Sequence, residues 1–166
     1  MISEAQSLLT FLAALGSGLI AGTFFAFSAF VMRALERLPA AHGVAAMQSI
    51  NIVVINPVFL LVFLGTGLVC AVLFVGALPG WHEAHPIWLI AGSLAYLLGC
   101  LLVTMTRNVP MNKALARVAA GSPQAARYWP EYVSRWTLWN HVRTAASLAA
   151  MACFMAALRE AFNSGF

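Results

Sequence analysis

The chain alternates between four long apolar runs and short polar links. Residues 8–32 contain no charged side chain, and neither do residues 57–78 or 86–106. The last run is different, because its uncharged residues cover only positions 144–158. A hydrocarbon core of about 30 Å takes roughly 20 helical residues at about 1.5 Å of rise each. The pattern therefore predicts four transmembrane helices, over 8–32, 57–78, 86–106 and 136–158. The fourth must draw Asn140, His141 and Arg143 into the span. Polar and charged groups at that depth are costly, and they usually face a bundle interior or a wet cavity. On a helix Trp136, Asn140, Arg143 and Ser147 share one face. An arginine about 6 Å below the boundary can also snorkel out along its own stem. Asn140 is too short to do so and is the better sign of a buried polar site.

The links carry the remaining polar signals. Pro39 opens a short interfacial helix over 40–50, and Asn56 before Pro57 has the form of an N-cap with proline at the first helical position. Capping explains Asn56 without a function, whereas Asn51 lies among Ile and Val with no such explanation. Pro110 should turn Val109 out of helical geometry and break the chain between Asn108 and Asn112. An amphipathic turn or two over 113–120 follows, and Gly121-Ser122-Pro123 starts another short helix. Tyr128, Trp129, Tyr132, Trp136 and Trp139 lead as an aromatic belt into the fourth span. Gly18, Gly22 and Ala26 recur every fourth residue, as do packing glycines generally. Phe24, Phe25, Phe27 and Phe30 face lipid or the bundle interior, and the pattern does not choose. His82, Glu83 and His85 lie in a turn between prolines. A solvated loop explains them better than a metal site does.

Composition agrees with the pattern. The 166 residues are 62% hydrophobic and 8% charged, with a mean hydropathy of +0.87. A soluble domain carries roughly 25% charged residues. This is the composition of an integral membrane protein with a single all-α, up-down four-helix domain over 1–166. The net charge of +4 is small but lopsided. Arg33, Arg37, Arg107, Lys113, Arg117, Arg127, Arg135 and Arg143 lie at the first and third links, and only Arg159 lies at the opposite end. The positive-inside rule then makes links 33–56 and 107–135 cytoplasmic in a plasma or inner membrane, with both termini outside. That charge has no bearing on nucleic acid. Cys70, Cys100 and Cys153 lie within apolar runs and read as free thiols, with no metal site implied. The spans contain no acidic residue, which argues against a proton-coupled transporter.

Up-down topology brings Asn51, Asn56, Asn108, Asn112, Asn140 and Arg143 to one depth. Six polar groups from three links at one level predict a polar pocket at the cytoplasmic end, roofed by the interfacial helices. The two halves of the chain also look loosely alike, with Asn56 and Asn140 in comparable places.

Ile50-Asn51 with Asn56-Pro57, Asn108-Val-Pro-Met-Asn112 and Trp136-x-x-Trp-Asn140-x-x-Arg143 together resemble a family of small four-helix membrane proteins that includes the anthrone oxygenases. The resemblance spans nearly the whole chain. It implies a membrane-embedded oxygenase or related oxidoreductase acting on a lipophilic aromatic substrate such as an anthrone. Such a substrate can itself supply the electron to dioxygen, so no flavin, haem or other cofactor is required. The protein supplies a base, donors for an enolate oxygen and a dry pocket. On this resemblance Arg143 and Asn140 stabilise the enolate and His141 is the candidate base, although His141 lies about 100° round the helix from Asn140. Trp136 and Trp139 stack the substrate, with Asn51, Asn56, Asn108 and Asn112 around it. The expected partners are a small hydrophobic or aromatic ligand and membrane lipid, and homo-oligomerisation is left open. Two other classes compete. One is a non-catalytic membrane protein that binds a quinone, a lipid or another small hydrophobic ligand. The other is a structural or accessory subunit whose Asn and Arg lock helices together.

Overall fold

A computed structural model describes residues 4–80 and 84–163, with only the backbone of Ala84 and His85. His82 and Glu83 fall outside the described residues, and so does the bearing of the His82–His85 turn on metal binding. Five helices account for nearly all of the rest. They are α1 (Glu4–Glu36), α2 (Ala40–Val53), α3 (Pro57–Ala77), α4 (Pro86–Ala116) and α5 (Pro123–Asn163). All but α2 are long and apolar enough to cross a membrane. The protein is an integral membrane protein of the all-α, four-helix kind.

The four long helices form a closed ring in which α1 packs on α3 and α5, and α4 packs on α3 and α5. Ring neighbours run antiparallel, as the contact pairs show. Gly18 meets Met151 while Phe24 lies beside Asn140, and Gly92 meets Phe154 while Thr104 lies beside Arg143. Both polar links therefore lie at the same end of the bundle. The core inside the ring is apolar, built on Ile20, Phe63, Leu73, Leu89, Tyr96 and Phe154. Close approach depends on small residues: a Cβ at Gly99 would overlap Ala146, and one at Gly16 would overlap Thr66. Of the repeated small residues in α1, Gly18 meets Met151 while Gly22 faces open space.

A second core roofs the polar end. The α2 side chains Val44 and Met47 pack with Leu115, Val118, Trp129, Tyr132 and Trp136. A side chain at Gly43 would collide with the Trp129 ring, so glycine sets how closely α2 sits. Gln48 Nε2 donates to the carbonyls of Leu115 and Val118, both at 2.9 Å, and so ties α2 to the last turn of α4 and the residues just past it.

Three expectations are corrected here. The chain does not break at Pro110, because Val109 has helical dihedrals (φ −62°, ψ −45°). The residues before it, Thr104–Asn108, form a π-helical stretch in which Val109 N–H donates to Thr104 O. This wider turn accommodates a ring that would clash in a regular α-helix. The third link also holds no separate short helices. Residues 113–116 end α4, and the helix expected after Ser122 continues unbroken into the fourth span. Ser122 Oγ accepts from Ala125 N–H at 3.1 Å and caps this helix of 41 residues. Finally, the aromatic belt is largely internal: Trp129, Tyr132 and Trp136 are 3%, 1% and 4% exposed and stack beneath α2.

Candidate functional site

Between the two cores lies a cavity of about 260 Å³. Its walls are largely aromatic and aliphatic: Phe24 and Phe27 from α1, Met47 and Ile50 from α2, Phe59 and Phe63 from α3, and Trp136 from α5. Its polar groups are few and convergent, namely Thr23, Asn51, Thr104, Asn108, Asn112 and Arg143. An apolar hollow with a few placed polar groups is the usual form of a small-molecule site.

Among the described residues Arg143 is the only charged one lining the cavity, and it is 4% exposed. One terminal nitrogen donates to Asn140 Oδ1 at 2.6 Å and the other to Thr104 Oγ1 at 3.3 Å. Its Nε has no partner. The guanidinium carbon stands 4.0 Å from the Phe24 ring centroid and 5.1 Å from that of Trp136. Two aromatic faces thus hold the cation where no carboxylate neutralises it; the ion pair among the described residues, Arg135–Glu131, is exposed. Snorkelling is ruled out by this burial.

Asn140 is fully buried behind Arg143 rather than on the cavity wall. Its Nδ2 donates to Phe24 O at 2.7 Å and to Ser28 Oγ at 2.8 Å, while its Oδ1 orients Arg143. Ser28 lies within the π-helical stretch Phe27–Val31, and Phe24 lies three residues before it. Two further π-helical stretches, Ala95–Leu102 and Thr104–Asn108, follow on α4, and the latter carries two of the lining residues. Such wide turns recur at functional sites because they shift the helical face by a residue.

The remaining asparagines divide by role. Asn108 is fully buried, donates to Trp136 O at 3.3 Å and leaves its Oδ1 unpartnered. Asn112 Oδ1 accepts from Tyr132 Oη at 2.9 Å and from Trp136 Nε1 at 2.8 Å, which fixes the indole against the cavity. Asn51 also lines the cavity, and its buried amide lies beside the Tyr132 hydroxyl. Asn56 lies outside the cavity. Its Oδ1 accepts from Phe59 N–H at 3.0 Å and its Nδ2 donates to Val53 O at 3.0 Å, so its side chain is spent on the start of α3.

Two further expected residues also lie outside. His141 is exposed and does not line the cavity, since one residue past Asn140 the helix turns it out of the bundle. Trp139 is half-buried and stacks with Arg107, whose guanidinium lies 4.7 Å from its ring centroid. Conversely, Thr23, Phe24, Phe27, Phe59, Phe63 and Thr104 line the cavity. Of these, the sequence flagged only the phenylalanines of α1, without choosing their direction. At the rim, Ile55 is 69% exposed, beside equally exposed Ile52, Val58 and Leu61.

Fold and site together define a four-helix membrane protein holding a single buried cation in an aromatic-walled cavity. A sequence model of the anthrone oxygenase family matches residues 59–153, more than half of the chain. The chain belongs to that family. The matched region contains Asn108, Asn112, Trp136, Asn140 and Arg143 and stops short of the α1 and α2 contributions. No curated protein and no solved structure matches the chain.

Proposed function

We propose that the protein is a cofactor-independent oxygenase that converts a lipophilic, anthrone-like aromatic substrate to a quinone within this cavity. Family membership supports the reaction class. The observation that carries the reading is the unneutralised Arg143 guanidinium, held between aromatic rings at the wall of an apolar cavity.

The chemistry balances with dioxygen as the only co-substrate. Loss of a proton from the ring methylene, or from the enol tautomer, leaves an anion whose charge rests on the carbonyl oxygen. Arg143 stabilises that oxygen in a site that excludes water. The anion passes one electron to dioxygen, and the carbon radical and superoxide combine. The resulting peroxide takes up a proton and loses water across its C–H and O–O bonds, leaving a second carbonyl. In net terms CH₂ and O₂ become C=O and H₂O. Among the described residues no imidazole or carboxylate lines the cavity. The cation therefore acts by raising the substrate's acidity, and the proton leaves to water at the rim.

The test is oxygen uptake by purified, chelator-treated protein given an anthrone, beside the Arg143→Ala variant. The expected result is uptake above the uncatalysed background that falls about 10²-fold or more in the variant. Absence of uptake by protein shown to be folded sinks the reading and leaves ligand binding without catalysis.

The positive-inside arrangement of the basic residues supports a cytoplasmic location for the cavity end. Reaction of a single cysteine near Arg117 with an impermeant reagent applied from outside intact cells would overturn it.

A further inference from the structure

A second hollow of about 340 Å³ adjoins the cavity on the outer side. Asn51, Ile55, Val109 and Asn112 line both, so the two are chambers of one cleft with a shared wall. The outer chamber adds Lys113, whose side chain lies on its wall beside Gln48 and Ala116. Like Arg143, Lys113 is in no ion pair among the described residues. Along α4 the lining residues run from Thr104, which holds Arg143, to Lys113. The nine rises between these ten residues amount to roughly 14 Å at about 1.5 Å each. A cleft of that length has a cation at either end and apolar and amide walls between. Asn51 stands on the wall between the chambers, with its buried amide beside the Tyr132 hydroxyl.

We infer that Lys113 is a specificity-determining residue that binds an anionic substituent, a carboxylate or an acidic phenolate, on the ligand whose aromatic body occupies the inner chamber. The inference rests on the reading of the inner cavity as an aromatic site. It selects an amphiphilic acid over a neutral hydrocarbon-like substrate. Ring systems lacking the acidic group bind in the inner chamber alone. A lipid phosphate offers the same anionic oxygens to Lys113, so the experiment must separate the two sources.

The test is fluorescence titration of the protein in zwitterionic nanodiscs with anthracene-2-carboxylate and with its methyl ester. The variants are Lys113→Gln and Lys113→Arg. Comparing variants within one membrane cancels the different partitioning of the two probes. The expected result is a five- to tenfold weaker carboxylate affinity in Lys113→Gln, restored in Lys113→Arg, with the ester changed less than twofold throughout. Equal sensitivity of both probes, or of neither, overturns the inference. Failure of the ester to bind saturably to the unaltered protein overturns the aromatic-cavity reading itself. In nanodiscs containing phosphatidylglycerol, a persisting Lys113→Gln effect assigns the ammonium to the ligand. Disappearance of that effect assigns it to the headgroup and overturns the inference.

Discussion

The first and third links each set an asparagine one or two residues before a proline at the same end of the bundle, and fold them in opposite ways. Asn56 has an extended backbone (φ −121°, ψ 158°), and its side chain turns back to cap the helix that Pro57 begins. Asn108 is helical (φ −71°, ψ −43°), and Pro110 stands in the first turn of the α-helical segment that follows a π-helical stretch. In both places the proline occupies a position where its missing N–H does little harm. One link achieves this by stopping the helix, the other by widening it. A stopped helix consumes its asparagine locally. A widened one leaves the asparagine free to point into the bundle, and Asn108 lines the cavity while Asn56 does not. The loose likeness of the two halves is therefore one of composition, not of role.

Arg143 gives the largest expected contrast between the two links. Replacing it with lysine keeps the charge but cannot reach Asn140 and Thr104 from two separate nitrogens, nor lie flat against Phe24 and Trp136. We expect turnover of Arg143→Lys to stay within about tenfold of Arg143→Ala, both at least about 10²-fold below the unaltered enzyme. Steady-state oxygen uptake reads this directly. Recovery to near full activity by lysine would mean that charge alone matters and geometry does not.

Next comes Asn140→Ala. It removes the donors to Phe24 O and Ser28 and the acceptor that orients Arg143, all in a fully buried setting. Leaving such groups unpaired costs about 1–3 kcal/mol apiece. Equilibrium unfolding in detergent should show a loss of about 3 kcal/mol, together with a fall in activity. A stable variant with lost activity would instead make Asn140 a group that acts only on the ligand.

These contrasts also show how far the sequence could be read. Four spans, the polar level and the burial of Asn140 and Arg143 followed from the cost of polar groups in an apolar run. That argument needs no geometry. The direction of a side chain does need it, and it was read with a uniform helical period. Three π-helical stretches change that period; two of them, Phe27–Val31 and Thr104–Asn108, lie where the cavity forms, and Ala95–Leu102 precedes the latter on α4. Thr104 therefore gave no signal, Pro110 looked like a break, and the phenylalanines of α1 could not be assigned. Phe24 and Phe27 turn inward, while Phe25 and Phe30 are 57% and 61% exposed. His141 failed for a simpler reason, because it had only its residue type and its depth to recommend it. Adjacency to Asn140 already pointed it away.

The smallest effects are the most discriminating, because Asn108→Ala and Asn56→Ala should cost similar stability for different reasons. Asn108→Ala loses one long hydrogen bond of 3.3 Å and an amide on the cavity wall whose buried Oδ1 is unpartnered. We expect about 1 kcal/mol of stability and a severalfold weaker affinity for an aromatic probe. Asn56→Ala loses the cap on Phe59 N–H, again about 1 kcal/mol. Its affinity should be unchanged, because nothing of Asn56 lines the cavity. Asn56→Asp keeps a capping oxygen and adds negative charge at a helix N-terminus, so it should recover most of the lost stability. Paired unfolding and probe titrations on these variants separate the two links. If Asn56→Ala weakened binding as much as Asn108→Ala, the cap would be holding the rim at Ile55 in place, and the stopped helix would serve the site after all.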